Sequence, residues 1–180
     1  MSDKKDVFFS ARRVAWMGLL FALAVVLSFF EGLLPVLPSL PPGVKLGLSN
    51  IVTMYALFFM GWRSAGTIAI LKALFVLLTR GPVAACMSLA GGIFSVLVMT
   101  LLLVFCRRPA YPLVSIFGAV FHNIGQLAVS ALVLKSAFAF AYLPVMILSG
   151  VVMGLLTSLL LKMLQPYLVR LNYVVHKRND

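Results

Sequence analysis

The sequence predicts an all-α integral membrane protein, a bundle of about six transmembrane helices. Of its 180 residues, 63% are hydrophobic and 11% are charged, and the mean hydropathy is +1.11. About a quarter of the residues of a soluble domain are charged. Because a helix needs roughly 20 apolar residues to cross the hydrocarbon core, residues 1–180 accommodate a single transmembrane domain and leave no room for a soluble catalytic domain.

Six apolar runs, separated by glycine, proline or basic residues, mark the helices. They cover approximately residues 14–30, 46–60, 64–79, 83–105, 112–134 and 142–168. The first run follows a basic stretch, as a signal-peptide core does, but the next apolar run comes soon after it, which indicates a retained helix. The second and third runs are short for a perpendicular crossing and predict tilt or local thinning of the bilayer. The segment PVLPSLPPG between the first two runs predicts an ordered turn, because proline cannot continue a helix.

The distribution of lysine and arginine predicts that both termini are cytoplasmic. With that orientation, most basic residues fall on the cytoplasmic side, in agreement with the positive-inside rule. The other side receives only Lys45, Arg80 and Lys135. The formal charge of +11 is therefore mainly a topology signal. Since the basic residues are dispersed among loops and form no single face, a nucleic-acid partner is not expected.

Acidic residues are too few for the usual catalytic sites. The chain has four, of which Asp3, Asp6 and Asp180 lie in the tails and Glu31 lies at the outer end of the first helix. Prenyl transfer and most phosphoryl chemistry need paired carboxylates to hold magnesium, and no Ser/His/Asp set is possible within the membrane. We therefore expect no catalytic residue, no metal site and no cofactor, and at most an accessory role in an enzyme.

Several polar residues of different helices fall at similar depth in the outer half of the bilayer. Lys72 is the most informative, because a lysine at mid-helix costs ~2.5–3.5 kcal/mol on insertion scales and usually faces a cavity or a partner. Either Glu31 neutralises it, or its charge is available to a carboxylate or phosphate. The candidate substrate-binding residues are Lys72, Asn50, Asn123, Gln126, His122, Lys45, Ser49, Ser88 and Arg80.

Structural interpretations of the same residues stay open. Asn50 is also suited to cap the second helix, and Glu31 is equally able to pair with Lys45 at the surface. His122, Asn123 and Gln126 are typical of interhelical hydrogen bonding in membrane bundles.

Small residues form a stripe along the first helix. Ala11, Ala15, Gly18 and Ala22 follow the spacing i, i+4, i+7, i+11, and small residues let helices approach closely in lipid. The stripe predicts a docking surface for another chain, or else packing against the protein's own helices.

Three stretches, VKLGLSNIVTMYALFFMG, SLAGGIFSVLVM and GAVFHNIGQLAVSALVL, resemble in order and spacing a small bacterial membrane family named heptaprenyl diphosphate synthase component I, also called the Gx transporter family. The resemblance covers roughly residues 12–165. That family in turn resembles the S components of energy-coupling factor (ECF) transporters, six-helix substrate-binding subunits. This resemblance implies that the protein lies in the bacterial cytoplasmic membrane. It also implies that a coupling protein and two ATPases are its partners and that they dock on the small-residue stripe. It transfers no substrate residues.

The two family names imply functions of different classes. As an S component, the chain binds a small anionic nutrient or cofactor precursor from outside for an importer. As component I, it is a non-catalytic subunit that supports a prenyltransferase in making the isoprenoid chain of menaquinone. A third reading is a scaffold in a quinone-linked electron-transfer assembly, with the polar cluster joining helices.

Overall fold

The computed structural model describes residues 2–33, 48–106, 110–135 and 137–177. Within these ranges it contains six α-helices, a short 3-10 helix and no strand, which confirms the predicted all-α class. The helices are α1 (Ser2–Leu33), α2 (Asn50–Met60), α3 (Trp62–Arg80), α4 (Pro82–Phe105), α5 (Tyr111–Leu134) and α6 (Leu143–Lys177), and the 3-10 helix (Ala137–Tyr142) precedes α6. The proline-rich segment and Lys45 lie outside the described residues.

Five helices, all but α2, are long and apolar enough to cross a membrane. The protein is therefore a multi-pass membrane protein. Helix α2 has 11 residues and spans only about 16 Å at 1.5 Å per residue. It is shorter than the predicted run 46–60 because it begins at Asn50. Its first eight residues, Asn50 to Leu57, are all buried, so α2 is a central helix enclosed by the longer ones.

Single glycines connect α2 to α3 and α3 to α4. Gly61 and Gly81 both have φ of 87° with ψ of 172° and 178°, a region of backbone conformation that is essentially restricted to glycine. Each glycine N–H also closes the preceding helix, on Leu57 O and Leu77 O respectively. These tight reversals place the first residues of α2 beside the middle of α3.

The antiparallel packing of α4, α5 and α6 depends on glycines, which have no side chain at the helix contacts. A Cβ at Gly125 of α5 would lie 2.9 Å from the Gly91 Cα of α4, and a Cβ at Gly150 of α6 would lie 2.9 Å from the Val120 Cα of α5. Side chains at these points would force the backbones apart, so the glycines set the short interhelical distances. The glycines therefore act as packing residues here.

Helices α1 and α3 run parallel and define the two ends of the bundle. Near their starts Arg13 Nη2 donates to Ser64 Oγ at 3.1 Å, and near their ends Glu31 and Arg80 line the same pocket. We call the end where α1 and α3 begin the amino-terminal end, and the other the opposite end. The polar residues described next lie toward the opposite end.

Candidate functional site

The side chain of Lys72 is the buried cation of the bundle's polar pocket. It is only 3% exposed although it lies within an apolar membrane-spanning helix. Its Nζ donates to Ser49 Oγ at 3.1 Å and to Asn50 Oδ1 at 3.4 Å. Both acceptors come from the start of α2, which the Gly61 reversal places next to Lys72. Two neutral oxygens thus replace part of the hydration that the ammonium group loses on burial.

Glu31 supplies negative charge to the same pocket. Its side chain is buried near the end of α1, and it interacts electrostatically with Lys72. Glu31 and Lys72 line the same pocket. Ser28, one turn earlier on α1, is also buried and lines the pocket. The sequence-based selection missed Ser28, although its i, i+3 spacing from Glu31 puts both on one face of the helix.

Helix α5 contributes a histidine–glutamine pair. Gln126 Nε2 donates to His122 Nε2 at 2.7 Å, as expected for an i, i+4 pair on one helical face. The ring lies against Gly91, where an added Cβ would be 2.8 Å from His122 Nδ1 and Cε1. Gly91 thus provides the space in which the imidazole reaches the pocket.

The pocket brings together groups from α1, α3, α4 and α5 and the residue before α2. Its polar lining residues are Ser28, Glu31, Ser49, Lys72, Arg80, Ser88, His122 and Gln126. Arg80 is exposed at the end of α3, whereas Lys72 is enclosed. The cavity is about 20 Å³, the space that one water molecule needs. A larger solute fits only if the surrounding helices separate.

Two predicted residues occupy different positions from the pocket lining. Asn123 faces α6, where its Nδ2 donates to Met146 O at 2.9 Å and Ser149 Oγ at 3.1 Å. This contact is the interhelical hydrogen bonding that was the alternative interpretation for Asn123. Asn50 does not line the pocket, and its Oδ1 accepts a hydrogen bond from Lys72 Nζ. Ser49, at the N-cap position of α2, makes no side-chain capping bond.

The small-residue stripe of α1 is not covered by the rest of the described chain. Ala11, Ala15, Gly18 and Ala22 are all exposed, and a Cβ on Gly18 would meet nothing within 4 Å. Packing against the protein's own described helices therefore does not account for the stripe.

No group of three or more His, Cys, Asp or Glu side chains that could hold a metal ion occurs among the described residues.

Comparison with family models matches most of the chain to a known family. The family model described as heptaprenyl diphosphate synthase component I matches residues 20–164, from the middle of α1 into α6. No curated protein and no solved structure matches the chain.

Proposed function

The chain belongs to the heptaprenyl diphosphate synthase component I family, and from this we propose that it is the non-catalytic membrane component of a heptaprenyl diphosphate synthase. A separate prenyltransferase subunit carries the chemistry in this proposal. The membrane component provides a docking surface at the bilayer, where the long apolar product has to be accommodated. In this proposal the protein is a multi-pass protein of the bacterial cytoplasmic membrane. The amino-terminal end of the bundle lies in the cytoplasm.

The shortage of carboxylates is the main observation that supports a non-catalytic role. Glu31 is the one acidic residue that the sequence places in the membrane part, and it interacts with Lys72. Diphosphate chemistry uses magnesium held by carboxylates. A single carboxylate beside a lysine is poorly suited to that task, so the magnesium site has to come from the partner.

Reconstitution with a partner tests this function. Proteoliposomes containing the chain, a prenyltransferase encoded in the same genome, or both are supplied with allylic and isopentenyl diphosphates and magnesium. We expect no product from the chain alone, and a higher rate or altered product length when both are present. A membrane protein of similar size and unrelated sequence serves as the control. Failure of the chain to bind or alter any such prenyltransferase would contradict the proposal.

A second function is favoured by the Lys72 pocket. In this reading the chain is the solute-binding subunit of an ECF-type importer, with a coupling protein and two ATPases as partners. Lys72 gives a carboxylate or phosphate a charge-assisted contact, and Arg80 adds positive charge at the exposed edge. Ser49, Gln126 and neighbouring polar groups provide neutral hydrogen bonds.

Movement of α1 is the simplest way to enlarge the pocket for a solute. Of the apolar membrane-spanning stretch of α1, 22% is buried, against 28% to 44% for the other four spans. It therefore has the least packing to lose when it shifts, and it carries Ser28 and Glu31 on the pocket wall. Displacement of α1 would also reposition its exposed small-residue stripe, which in this reading is the partner's docking surface.

Mass spectrometry of small molecules released from gently purified protein separates the two functions. An importer subunit is expected to retain a polar anion near one per chain, and Lys72→Leu is expected to lose it. Lys162→Leu, which alters an exposed lysine of α6, is the matched control. Empty wild-type protein that nevertheless activates a prenyltransferase would reject the importer and retain the first proposal.

A further inference from the structure

A groove between α1 and α3 lies at the amino-terminal end of the bundle, away from the Lys72 pocket. Its volume is about 470 Å³, and the side chains of Val14, Met17, Phe21 and Leu71 form most of its apolar lining, with Gly18 as the floor. The Gly18 Cα has open space where a Cβ would point. The missing side chain therefore deepens the groove on the lipid-facing side of α1.

Two arginines close one end of this groove. Arg13 Nη2 donates to Ser64 Oγ at 3.1 Å, and Ser64 Oγ in turn donates to Met60 O at 3.2 Å. Arg63 is exposed, with its guanidinium carbon 5.4 Å from the centroid of the Trp62 ring. A guanidinium has five N–H donors, so Arg13 keeps donors for a further acceptor while Ser64 fixes its position.

The arginines lie at the starts of two candidate spans, Arg13–Glu31 and Trp62–Arg80. Phe21 and Leu71 each lie eight residues further along their helices than Arg13 and Arg63, which corresponds to about 12 Å of depth. The groove is therefore cationic at the level of lipid head groups and apolar below it. This polarity matches an amphiphile with an anionic head and a hydrocarbon chain, since basic pockets between transmembrane helices bind anionic head groups.

We propose that the α1–α3 groove binds one anionic phospholipid, with its phosphate at Arg13 and Arg63 and an acyl chain along Gly18. A phospholipid is the favoured occupant because the bilayer presents phosphate and hydrocarbon at these two depths. The site uses none of the Lys72 pocket residues, and it shares Gly18 with the small-residue stripe of α1.

Lipid titration of the full chain in non-ionic detergent, followed by native mass spectrometry, tests the site. Phosphatidylglycerol and phosphatidylcholine with identical acyl chains are the probes. We expect one phosphatidylglycerol to bind in preference to phosphatidylcholine. Arg13→Gln combined with Arg63→Gln is expected to weaken phosphatidylglycerol about 25-fold, since each basic residue near an anionic lipid surface contributes about fivefold. Phosphatidylcholine has the same phosphate but no net charge, so its binding should weaken less.

Two further variants keep the result interpretable. Gly18→Leu adds bulk to the groove, and a Cβ at this position meets nothing within 4 Å, so it should weaken both lipids while the unfolding temperature stays unchanged. Lys162→Gln, which alters an exposed lysine of α6 outside both pockets, is the charge control and should leave lipid binding as in the wild type. Equal affinity for the two lipids, an equal loss in Lys162→Gln, or displacement by millimolar inorganic phosphate would each overturn the proposal.

Discussion

The Nζ of Lys72, in the middle of α3, lies 3.1 Å from Ser49 Oγ, the residue immediately before α2. The two residues are brought together by the reversal at Gly61 and not by proximity in sequence. Because Ser49 is a neutral acceptor, it stabilises the ammonium without cancelling its charge. Glu31 is the group that opposes this charge. Removing Lys72 and removing Glu31 should therefore have opposite effects on the affinity of the pocket for an anion.

Removal of Lys72 and removal of Glu31 should change anion affinity in opposite directions. Lys72→Leu is expected to weaken a bound carboxylate or phosphate about ten- to a hundredfold, because a hydrogen bond to a charged group contributes ~1.5–3 kcal/mol. Glu31→Gln should strengthen it by about tenfold, since like charges ~10 Å apart repel by roughly 1.7 kcal/mol at an effective dielectric constant near 20. Isothermal titration with the solute identified by mass spectrometry measures both changes.

The matched control for this pair is Lys162→Leu, on the exposed face of α6. Affinity that falls in Glu31→Gln as much as in Lys72→Leu would indicate that the pair only holds α1 against α3. In that case the pocket would be a structural ion pair and not an anion site.

The bundle was predictable because the pattern that specifies each helix, a long apolar run bounded by glycine, proline or basic residues, recurs along the chain. Each long apolar run becomes one helix, and Gly61 and Gly81 end helices where the sequence places glycine between runs. The burial of α2 was not predictable. Its run is as apolar as the others, and only the three-dimensional packing decides that this short helix lies in the centre while longer ones face lipid.

The polar pocket was predicted in part. Helical depth grouped Lys72 with Ser49, Ser88, Gln126 and His122, because rise per residue fixes depth once the direction of each helix is known, and these side chains line one cavity in the structure. Depth does not fix the direction in which a side chain points. Asn123, adjacent in sequence to His122, therefore fell in the same predicted group, although a rotation of one residue turns it toward α6.

Asn123→Leu should lower stability without affecting the pocket. It removes the two hydrogen bonds to Met146 O and Ser149 Oγ, and such interhelical bonds contribute ~0.6 kcal/mol on average and up to ~1.7 kcal/mol in a membrane protein. Thermal unfolding in detergent should show a modest decrease, while solute affinity stays at the wild-type value. A solute affinity that falls as far as in Lys72→Leu would instead return Asn123 to the binding site.

Gly91→Ala should destabilise the contact between α4 and α5. The new Cβ would lie 2.8 Å from His122 O as well as from the imidazole, and overpacking of this kind costs about 1–3 kcal/mol. Gly66→Ala, where a Cβ meets nothing within 4 Å, is the control and should be neutral or slightly stabilising. Adding His122→Ala should restore only part of the loss, because the clash with the backbone oxygen persists. Full restoration would show that the ring alone requires the glycine.

Ala22→Leu should weaken association with a partner subunit and leave the fold unchanged. Ala22 belongs to the exposed stripe of α1 but does not line the α1–α3 groove, so this variant separates partner docking from lipid binding. An added side chain in a close helix contact costs about 1–3 kcal/mol, which corresponds to a roughly five- to 150-fold loss of affinity in a pull-down. Val152→Phe, on the exposed face of α6, adds bulk elsewhere and should have no effect. Normal assembly of Ala22→Leu would remove the stripe from the docking surface.

The orientation of the bundle is testable with the protein's two cysteines, Cys86 and Cys106. Cys106 follows the last residue of α4, at the amino-terminal end, and Cys86→Ser leaves it as the single thiol. A membrane-impermeant maleimide should label it in inside-out vesicles and not in intact cells, since the excess of lysine and arginine predicts that this end is cytoplasmic. Thr79→Cys in a background without the native cysteines reports the opposite end and should show the reverse pattern. Labelling of Cys106 from outside intact cells would invert the topology and place the Lys72 pocket toward the cytoplasm, where an importer could not collect its solute.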